Sequence, residues 1–175
     1  FKMANSGRPG PVLVDIPKDV QSAKFEFVRS RPIQNERAKL VTNEKIDKAI
    51  EMIKNSKKPF IYIGGGAKAG YMTSEVIGLA DLIDAPIGSS LMGLSVVPSR
   101  HPRFLGMQGM HGHFASSRSM ADSDLIICIG ARFSDRATGN VAKFARHTKI
   151  IHMDIDSAEL DKNVKVDLKI CGDIK

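Results

Sequence analysis

Short apolar runs and helix-like stretches alternate along the chain after residue 42. Five runs are rich in Ile, Leu, Val and Phe, and each ends in small or polar residues, as buried strands bounded by turns do. They are "FIYIGGG" from Phe60, "APIGSS" from Ala85, "DLIICIG" from Asp124, "KIIHMDI" from Lys149 and "VDLKICGD" from Val166. The pattern predicts five buried strands.

Between these strands, apolar residues recur three and four positions apart, which is the period of one helix face. The two clearest faces consist of Ile46, Ala49, Ile50 and Ile53, and of Val76, Leu79, Ala80 and Ile83. Shorter helices are predicted in residues 113–123 and 140–146, and a single helical turn in residues 157–163. Strand–helix alternation of this kind predicts an α/β fold with a doubly wound, mostly parallel, Rossmann-like sheet.

Three other regions have different patterns. The stretch "PVLVDIP", residues 11–17, predicts a short strand bounded by prolines. Residues 18–41 are polar and weakly patterned, which indicates an extended linker, and residues 91–112 predict a long loop rich in Met and Gly. Because the chain starts at Phe1 in mid-pattern, we expect it to be a fragment of a longer protein.

Charge and composition narrow the classes of partner. The net charge is +7, but residues 24–58 carry ten Lys or Arg against five Asp or Glu, so the excess belongs to one linker and one helix. There is no Trp and aromatic residues make up 6%, whereas a nucleic-acid surface combines a basic face with aromatic residues. No apolar run approaches the length of a membrane span. We therefore expect neither a nucleic acid nor a membrane as a partner.

The two cysteines indicate a reducing compartment. Cys128 lies inside an apolar run and Cys171 follows another, and their spacing fits neither a metal site nor a disulfide framework. Buried, reduced thiols are typical of the cytosol, so we expect a cytoplasmic protein.

Candidate chemistry collects where the predicted strands end. These ends are Gly64-Gly65-Gly66, Ser89-Ser90, Gly130-Ala131-Arg132, Asp154-Ile155-Asp156 and Gly172-Asp173. In open α/β sheets, ligands bind outside the carboxyl ends of the strands. Glycine lets backbone N–H groups approach a pyrophosphate, arginine offers planar donors to phosphate, and carboxylates accept from ribose hydroxyls. Together the strand ends predict a long crevice for a nucleotide.

Several of these signals have a plainer interpretation. "GGGAKAG" has its last glycine one residue too late for the usual dinucleotide fingerprint, so a tight strand-to-helix turn explains it equally well. His111 and His113 lack a third ligand at a suggestive spacing, and we expect no metal site. Met107 and Met110 either line a flat ring or fill the core, and composition favours core filling.

Asp135 leaves a further alternative open. With Arg132 and Arg136 on either side of it, Asp135 belongs to a functional loop or forms an ordinary surface ion pair.

Six motifs, taken in their order along the chain, resemble the motifs of one family. The motifs are "SGRPGPVLVDIPKDVQ", "IYIGGGAKAG", "GSSLMGLS", "GMQGMHG", "GARFSDRATG" and "HMDIDSAELDKN" with "KICGD". Together they closely resemble the acetolactate synthase family of thiamine-diphosphate enzymes across the whole chain. The first motif is common to many thiamine-diphosphate enzymes, whereas "GMHG" with "RFSDRATG" is much narrower.

The resemblance implies an organisation and a set of flavin contacts. Residues 1–20 would end a pyrimidine-binding domain, residues 21–41 would form a linker, and residues 42–175 would form the central FAD-binding domain. The implied FAD contacts are Arg8, Gly64, Gly65, Gly66, Ser90, Leu91, Met92, Gln108, Gly109, Met110, His111, Gly130, Ala131, Arg132, Phe133, Ser134, Asp154, Ile155, Asp173 and Ile174. Arg136 would reach toward the substrate channel. The family usually has two aspartates where this chain has Ser134-Asp135, which weakens any argument from charge there.

The implied reaction belongs to branched-chain amino-acid biosynthesis. Thiamine diphosphate and Mg²⁺, held outside this chain, would decarboxylate pyruvate and join the product to a second 2-ketoacid, while FAD would do no net redox work. The resemblance implies no catalytic and no metal-binding residue here, so the chain alone is expected to be silent. It also implies a homodimer or homotetramer and a regulatory small subunit. The alternatives are the central domain of another thiamine-diphosphate decarboxylase or oxidase, and a stand-alone nucleotide-binding domain.

Overall fold

The computed structural model describes residues 2–29 and 41–174. The chain divides into two compact units, residues 1–38 and residues 39–175. Among the described residues, no helix is both long and apolar enough to cross a bilayer.

The first unit contains two short helices, α1 (Lys2–Asn5) and α2 (Lys18–Ser22). The predicted strand at residues 11–17 is wrong, because residues 9–17 carry no regular structure. A strand needs a neighbouring strand for its backbone groups, and residues 2–29 contain none. The segment exposes its apolar side chains instead, including Leu13 at 92% and Phe25 at 82%. Residues 30–40 of the predicted linker lie outside the described residues.

The second unit is built on one six-stranded, fully parallel sheet, which confirms the predicted doubly wound α/β fold. The strands are β1 (Pro59–Ile63), β2 (Ile87–Ser89), β3 (Phe104–Met107), β4 (Leu125–Ile129), β5 (Lys149–Asp154) and β6 (Leu168–Cys171). The spatial order is β3-β2-β1-β4-β5-β6. The helices are α3 (Asn43–Lys54), α4 (Gly65–Ala69), α5 (Thr73–Leu82), α6 (Phe114–Ala121) and α7 (Asp135–Thr138), with 3₁₀ turns at Leu91–Gly93 and Ser157–Glu159.

The structure corrects two element predictions in this unit. Strand β3 lies inside the predicted loop 91–112, where its glycine, Gly106, has φ +89° and the register to β2 shifts. The predicted helix at residues 140–146 is a series of turns, and Ala145 adopts a left-handed φ of +49° that a helix excludes. The helical turn predicted within residues 157–163 is confirmed as the 3₁₀ turn Ser157–Glu159.

Alternate residues of the central strands fill two cores, one on each face of the sheet. Ile61, Ile127 and Ile151 pack with α5 residues in the first cluster, and Tyr62 and Cys128 belong to the second cluster. Strands β1 and β4 are buried at every position, as expected at the middle of a parallel sheet. The core therefore fixes β1 and β4 side by side, and this fixes where their loops emerge.

Candidate functional site

The topological switch point lies between β1 and β4. From β1 the chain crosses to β2 on one side, and β4 begins the other half of the sheet. At such a point the loops after the two strands diverge and leave a crevice. Here the loops are tied together at its base, because Gly64 N donates to Ile129 O at 3.0 Å and Gly66 N donates to Gly130 O at 2.9 Å.

Close packing of these loops requires three of the glycines. A Cβ on Gly64 would lie 2.3 Å from the carbonyl oxygen of Gly130, and one on Gly66 would lie 2.7 Å from the Gly130 Cα. Gly130 itself has φ +56°. A tight strand-to-helix turn therefore explains why Gly64 and Gly66 are glycines, without any ligand. Gly65 differs, because its Cβ would meet only the Met92 side chain, at 3.2 Å.

Two further loops join the same edge. Ser90 N donates to Ile63 O at 2.8 Å, and Gln108 N donates to Ser89 O at 2.7 Å. Met110 N donates to the Arg136 carbonyl oxygen at 2.8 Å, which links the loop after β3 to α7. The structure thus brings together the loops after β1, β2, β3 and β4 that carry most of the sequence-predicted contacts.

Gly109 makes the approach of the β3 loop to α7 possible. Its φ is +101°, and a Cβ there would lie 2.3 Å from the Arg136 carbonyl oxygen. Both observations exclude a larger residue at this position.

Large apolar side chains are exposed at this edge. Leu91, Met92 and Met110 are 68%, 64% and 71% exposed. Core filling is therefore wrong for Met110, whereas Met107 lies partly buried in β3. Exposed apolar groups beside glycine backbone form a surface on which a flat ring can lie. His111 is also exposed, and no group of three metal-ligating side chains occurs within residues 2–29 and 41–174.

Arg132 points out of the β4 loop and has an acidic partner that the sequence analysis missed. Its Nη2 lies 3.3 Å from Oε1 of Glu159, whose side chain is only 9% exposed, and Lys162 Nζ lies 3.1 Å from the same oxygen. The Arg132 side chain is 49% exposed, so guanidinium N–H groups remain for another acceptor. Among the described residues, Asp135 pairs with neither arginine, so the proposed surface ion pair does not form.

The residues on either side of Arg132 face inward. The carbonyl oxygen of Ala131 accepts from Cys128 Sγ at 3.2 Å and from His152 Nε2 at 2.9 Å. Phe133 is 5% exposed and packs against Tyr62 and His152, so its ring belongs to the core and only its backbone faces the loop. Burial raises the pKa of the Cys128 thiol and lowers the pKa of His152, so both groups are neutral.

The ends of β5 and β6 complete the edge. Asp154 Oδ1 accepts from Asp156 N at 2.9 Å, and Asp154 O accepts from Gly172 N at 3.1 Å. Asp154 and Ile155 are partly exposed, and Asp173 is exposed. Ile174 packs instead toward the first core cluster.

The remaining sequence-predicted positions are Arg8, Ser134 and Arg136. Arg8 is exposed in the first unit, and its contact with a cofactor stays a prediction. Ser134 is half-buried and caps nothing with its side chain, while its carbonyl accepts from Thr138 N at 2.9 Å. Arg136 is exposed on α7.

A groove of about 760 Å³ lies over the second core cluster and shares Gln108 with the loop after β3. Residues of α6 and of the turns after α7 line it, including Met120, Phe144 and Thr148. Buried Met120 and Ile126 are among its lining residues, and the glycines of the switch point are not.

Comparison with known proteins assigns the fold to a family. Residues 46–175 match the family described as the thiamine pyrophosphate enzyme, central domain. The whole chain is 42% identical to the probable acetolactate synthase large subunit of Methanococcus aeolicus and covers 30% of that protein. It is 42% identical to the acetolactate synthase large subunit of Haemophilus influenzae and 43% identical to the acetolactate synthase of Mycobacterium leprae, over 100% of the chain and 31% and 28% of those proteins. The chain thus spans about a third of the length of the curated relatives it matches. It belongs to the thiamine pyrophosphate enzyme family and carries that family's central domain.

Proposed function

We propose that the second unit binds FAD across its switch point and serves as the central domain of an acetolactate synthase. Such an enzyme joins pyruvate to a second 2-ketoacid with loss of CO₂. The observation that carries the assignment is the 42% identity to acetolactate synthase large subunits over all of this chain. It favours this enzyme over other thiamine-diphosphate decarboxylases and oxidases.

The side chains at the sheet edge fit the chemistry of FAD. A flavin dinucleotide needs a flat apolar surface, donors for its phosphates and acceptors for its ribose hydroxyls. Leu91, Met92 and Met110 supply exposed apolar surface, and Arg132 supplies guanidinium donors that are half exposed. Asp154, partly exposed at the end of β5, supplies a carboxylate acceptor. The three requirements lie along one edge in the order of the strands, which supports an extended ligand.

The contribution of this chain to the reaction is binding and orientation. When bound, thiamine diphosphate supplies the electron sink for decarboxylation, and we place its site and that of Mg²⁺ in segments outside this chain. Here Arg132 would donate to phosphate oxygens and Asp154 would accept from a hydroxyl. Arg136, exposed on α7, would meet the anionic 2-ketoacid. No residue of the chain is assigned a proton transfer.

We also propose an oligomeric, cytoplasmic enzyme that a regulatory subunit controls. Exposed apolar side chains such as Leu13, Phe25 and Phe27 in the first unit support burial against further polypeptide. Cys128 and Cys171 are both free thiols, which supports a reducing compartment.

Flavin fluorescence tests the cofactor assignment. We expect saturable quenching when FAD is added to the 175-residue chain, with weaker binding of FMN, which lacks the adenylate, and of NAD. A preference for NAD, or no saturable binding of any of the three, would contradict FAD binding.

A chimera tests the reaction. The chain would replace the matching segment of the Methanococcus aeolicus relative, and acetolactate would be measured with pyruvate, thiamine diphosphate, Mg²⁺ and FAD. We expect activity from the chimera, and FAD binding at least about tenfold tighter than in the isolated chain, because neighbouring domains preorganise the crevice. A folded, flavin-loaded chimera that forms no acetolactate would refute the assigned reaction.

A further inference from the structure

His152 is a buried imidazole in the middle of the sheet. It lies on β5, is 1% exposed and pairs in register with Cys128 of β4. Burying a polar ring among apolar side chains costs free energy unless the ring forms hydrogen bonds. The function proposed above gives this residue no task, since it does not reach the sheet edge.

The hydrogen bond of His152 identifies its tautomer and its target. A carbonyl oxygen only accepts, so the contact of Nε2 with Ala131 O at 2.9 Å places the ring proton on Nε2. Nδ1 is then a bare acceptor, and it has no hydrogen-bond partner among the described residues. The Cys128 thiol donates to the same carbonyl at 3.2 Å. Two side chains from neighbouring strands therefore fix one peptide group of the β4 loop.

The same imidazole ring also fixes Phe133, two residues after Ala131. The rings of His152 and Phe133 meet edge-on, with centroids 5.1 Å apart and an interplanar angle of 72°. Phe133 packs in turn against Tyr62 and Phe144, at centroid distances of 5.9 Å and 5.6 Å. His152 thus holds both neighbours of one loop residue against the core.

Arg132 is the residue between those two anchors. With Ala131 and Phe133 at 2% and 5% exposure, the intervening side chain must project outward, and it is 49% exposed. Glu159, whose side chain is 9% exposed, then holds the guanidinium at 3.3 Å. The direction of Arg132 is therefore set by His152, through the backbone of the loop, and by Glu159, through the side chain of Arg132.

We propose that His152 is a positioning residue for dinucleotide binding, acting on the phosphate donor Arg132 without touching the ligand. The proposal rests on the proposed function in one respect, namely that Arg132 binds the FAD phosphates. A purely structural role for His152 would stabilise the sheet without any special link to Arg132.

The variants separate these two roles. His152→Leu removes the donor at similar volume, His152→Gln keeps a side-chain N–H of similar reach, and Ile151→Ala damages the opposite face of the same strand. FAD affinity would be measured by fluorescence on the 175-residue chain and thermal stability by circular dichroism. We expect His152→Leu to weaken FAD about tenfold, His152→Gln to stay within about threefold of wild type, and Ile151→Ala to lose stability but keep its affinity.

A double-mutant cycle with Arg132→Ala supplies the decisive readout. If His152 acts through Arg132, His152→Leu weakens FAD by less than about twofold once Arg132 is absent. Equal losses in both backgrounds, or failure of His152→Gln to restore binding, would overturn the proposal.

Amide and Arg Nε–H signals in ¹⁵N-resolved NMR spectra test the positioning without ligand. We expect the signals of Ala131, Arg132 and Phe133 to move in His152→Leu and to return toward wild type in His152→Gln. Unmoved signals would overturn the positioning claim whatever FAD does. A wild-type chain that binds no FAD would refute the proposed function, and these signals would still judge the effect of His152 on Arg132.

Discussion

Replacing Gly64 by alanine tests how the two crevice loops pack. The backbone of Gly64 has φ −131°, which any residue adopts, so conformational strain plays no part. The added Cβ would lie 2.3 Å from Gly130 O, 2.4 Å from Ala131 Cα and 2.7 Å from Ala131 Cβ. Two of these atoms are backbone, and no side-chain rotation relieves the overlap. The β1 and β4 loops must move apart.

The expected loss has two sources. Overpacking a tight site costs roughly 1–3 kcal/mol. Separation of the loops also breaks the hydrogen bonds from Gly64 N and Gly66 N to the β4 loop. Each of these bonds contributes about 0.5–1.5 kcal/mol. We therefore expect Gly64→Ala to lower the free energy of unfolding by about 2–6 kcal/mol and to reduce FAD affinity.

Gly78 provides the matched control. It is exposed in the interior of α5, and a Cβ there would meet nothing within 4 Å. Alanine in an open helical position is better than glycine by roughly 0.5–1 kcal/mol, so Gly78→Ala should be slightly more stable than wild type. Urea unfolding followed by far-UV circular dichroism measures both variants. A Gly64→Ala protein as stable as wild type would refute the packing of the two loops.

Three further predictions follow from individual contacts. Arg132→Ala should weaken FAD about ten- to a hundredfold, since a charge-assisted hydrogen bond contributes roughly 1.5–3 kcal/mol, and unchanged affinity in a fluorescence titration would show that Arg132 points elsewhere. Asp124 accepts from Ser56 Oγ and from the backbone N–H of Lys57 and Lys58, so Asp124→Ala should lower the urea midpoint, and a midpoint equal to wild type would contradict these bonds. Desolvation, opposed by Asp154, Glu159, Asp161 and the bond to Ala131, lowers the pKa of His152 below its usual 6.5. As pH falls below 6.5, the imidazole of His152 is therefore protonated more readily in the unfolded chain, and the wild type should lose stability. Urea titrations from pH 7.5 to 5 measure this loss. An equal loss in His152→Gln would contradict the assignment of the loss to His152.

The central strands could be predicted because their burial is visible in the sequence of each strand alone. Every residue of β1 and β4 is buried, so both appear as continuous apolar runs. Strand β3 has four partly buried residues, a glycine and a shifted register, and its sequence carries no such signal. The false strand at residues 11–17 has the opposite origin, because an apolar run predicts burial but does not supply the partner strand.

The site was predictable to the level of the loops but not of their internal contacts. Strand ends of a parallel sheet meet at one edge, so the positions of Gly64 and Arg132 follow from topology. The contacts that orient Arg132 do not follow from topology. His152, which bonds to the neighbouring Ala131, comes from the next strand, β5, and Glu159 comes from the 3₁₀ turn after it. An isolated histidine in an apolar run gives no sign of which carbonyl it will reach.

The most direct test of the account is to map where FAD binds. ¹⁵N-resolved NMR spectra of the chain would be recorded during an FAD titration, and amide shifts would be assigned along the sequence. We predict that the largest shifts fall at Gly65, Met92, Met110 and Arg132, on the edge that holds the switch point. Shifts concentrated in the groove lined by Met120 and Phe144, or no saturable shifts at all, would contradict FAD binding at this crevice.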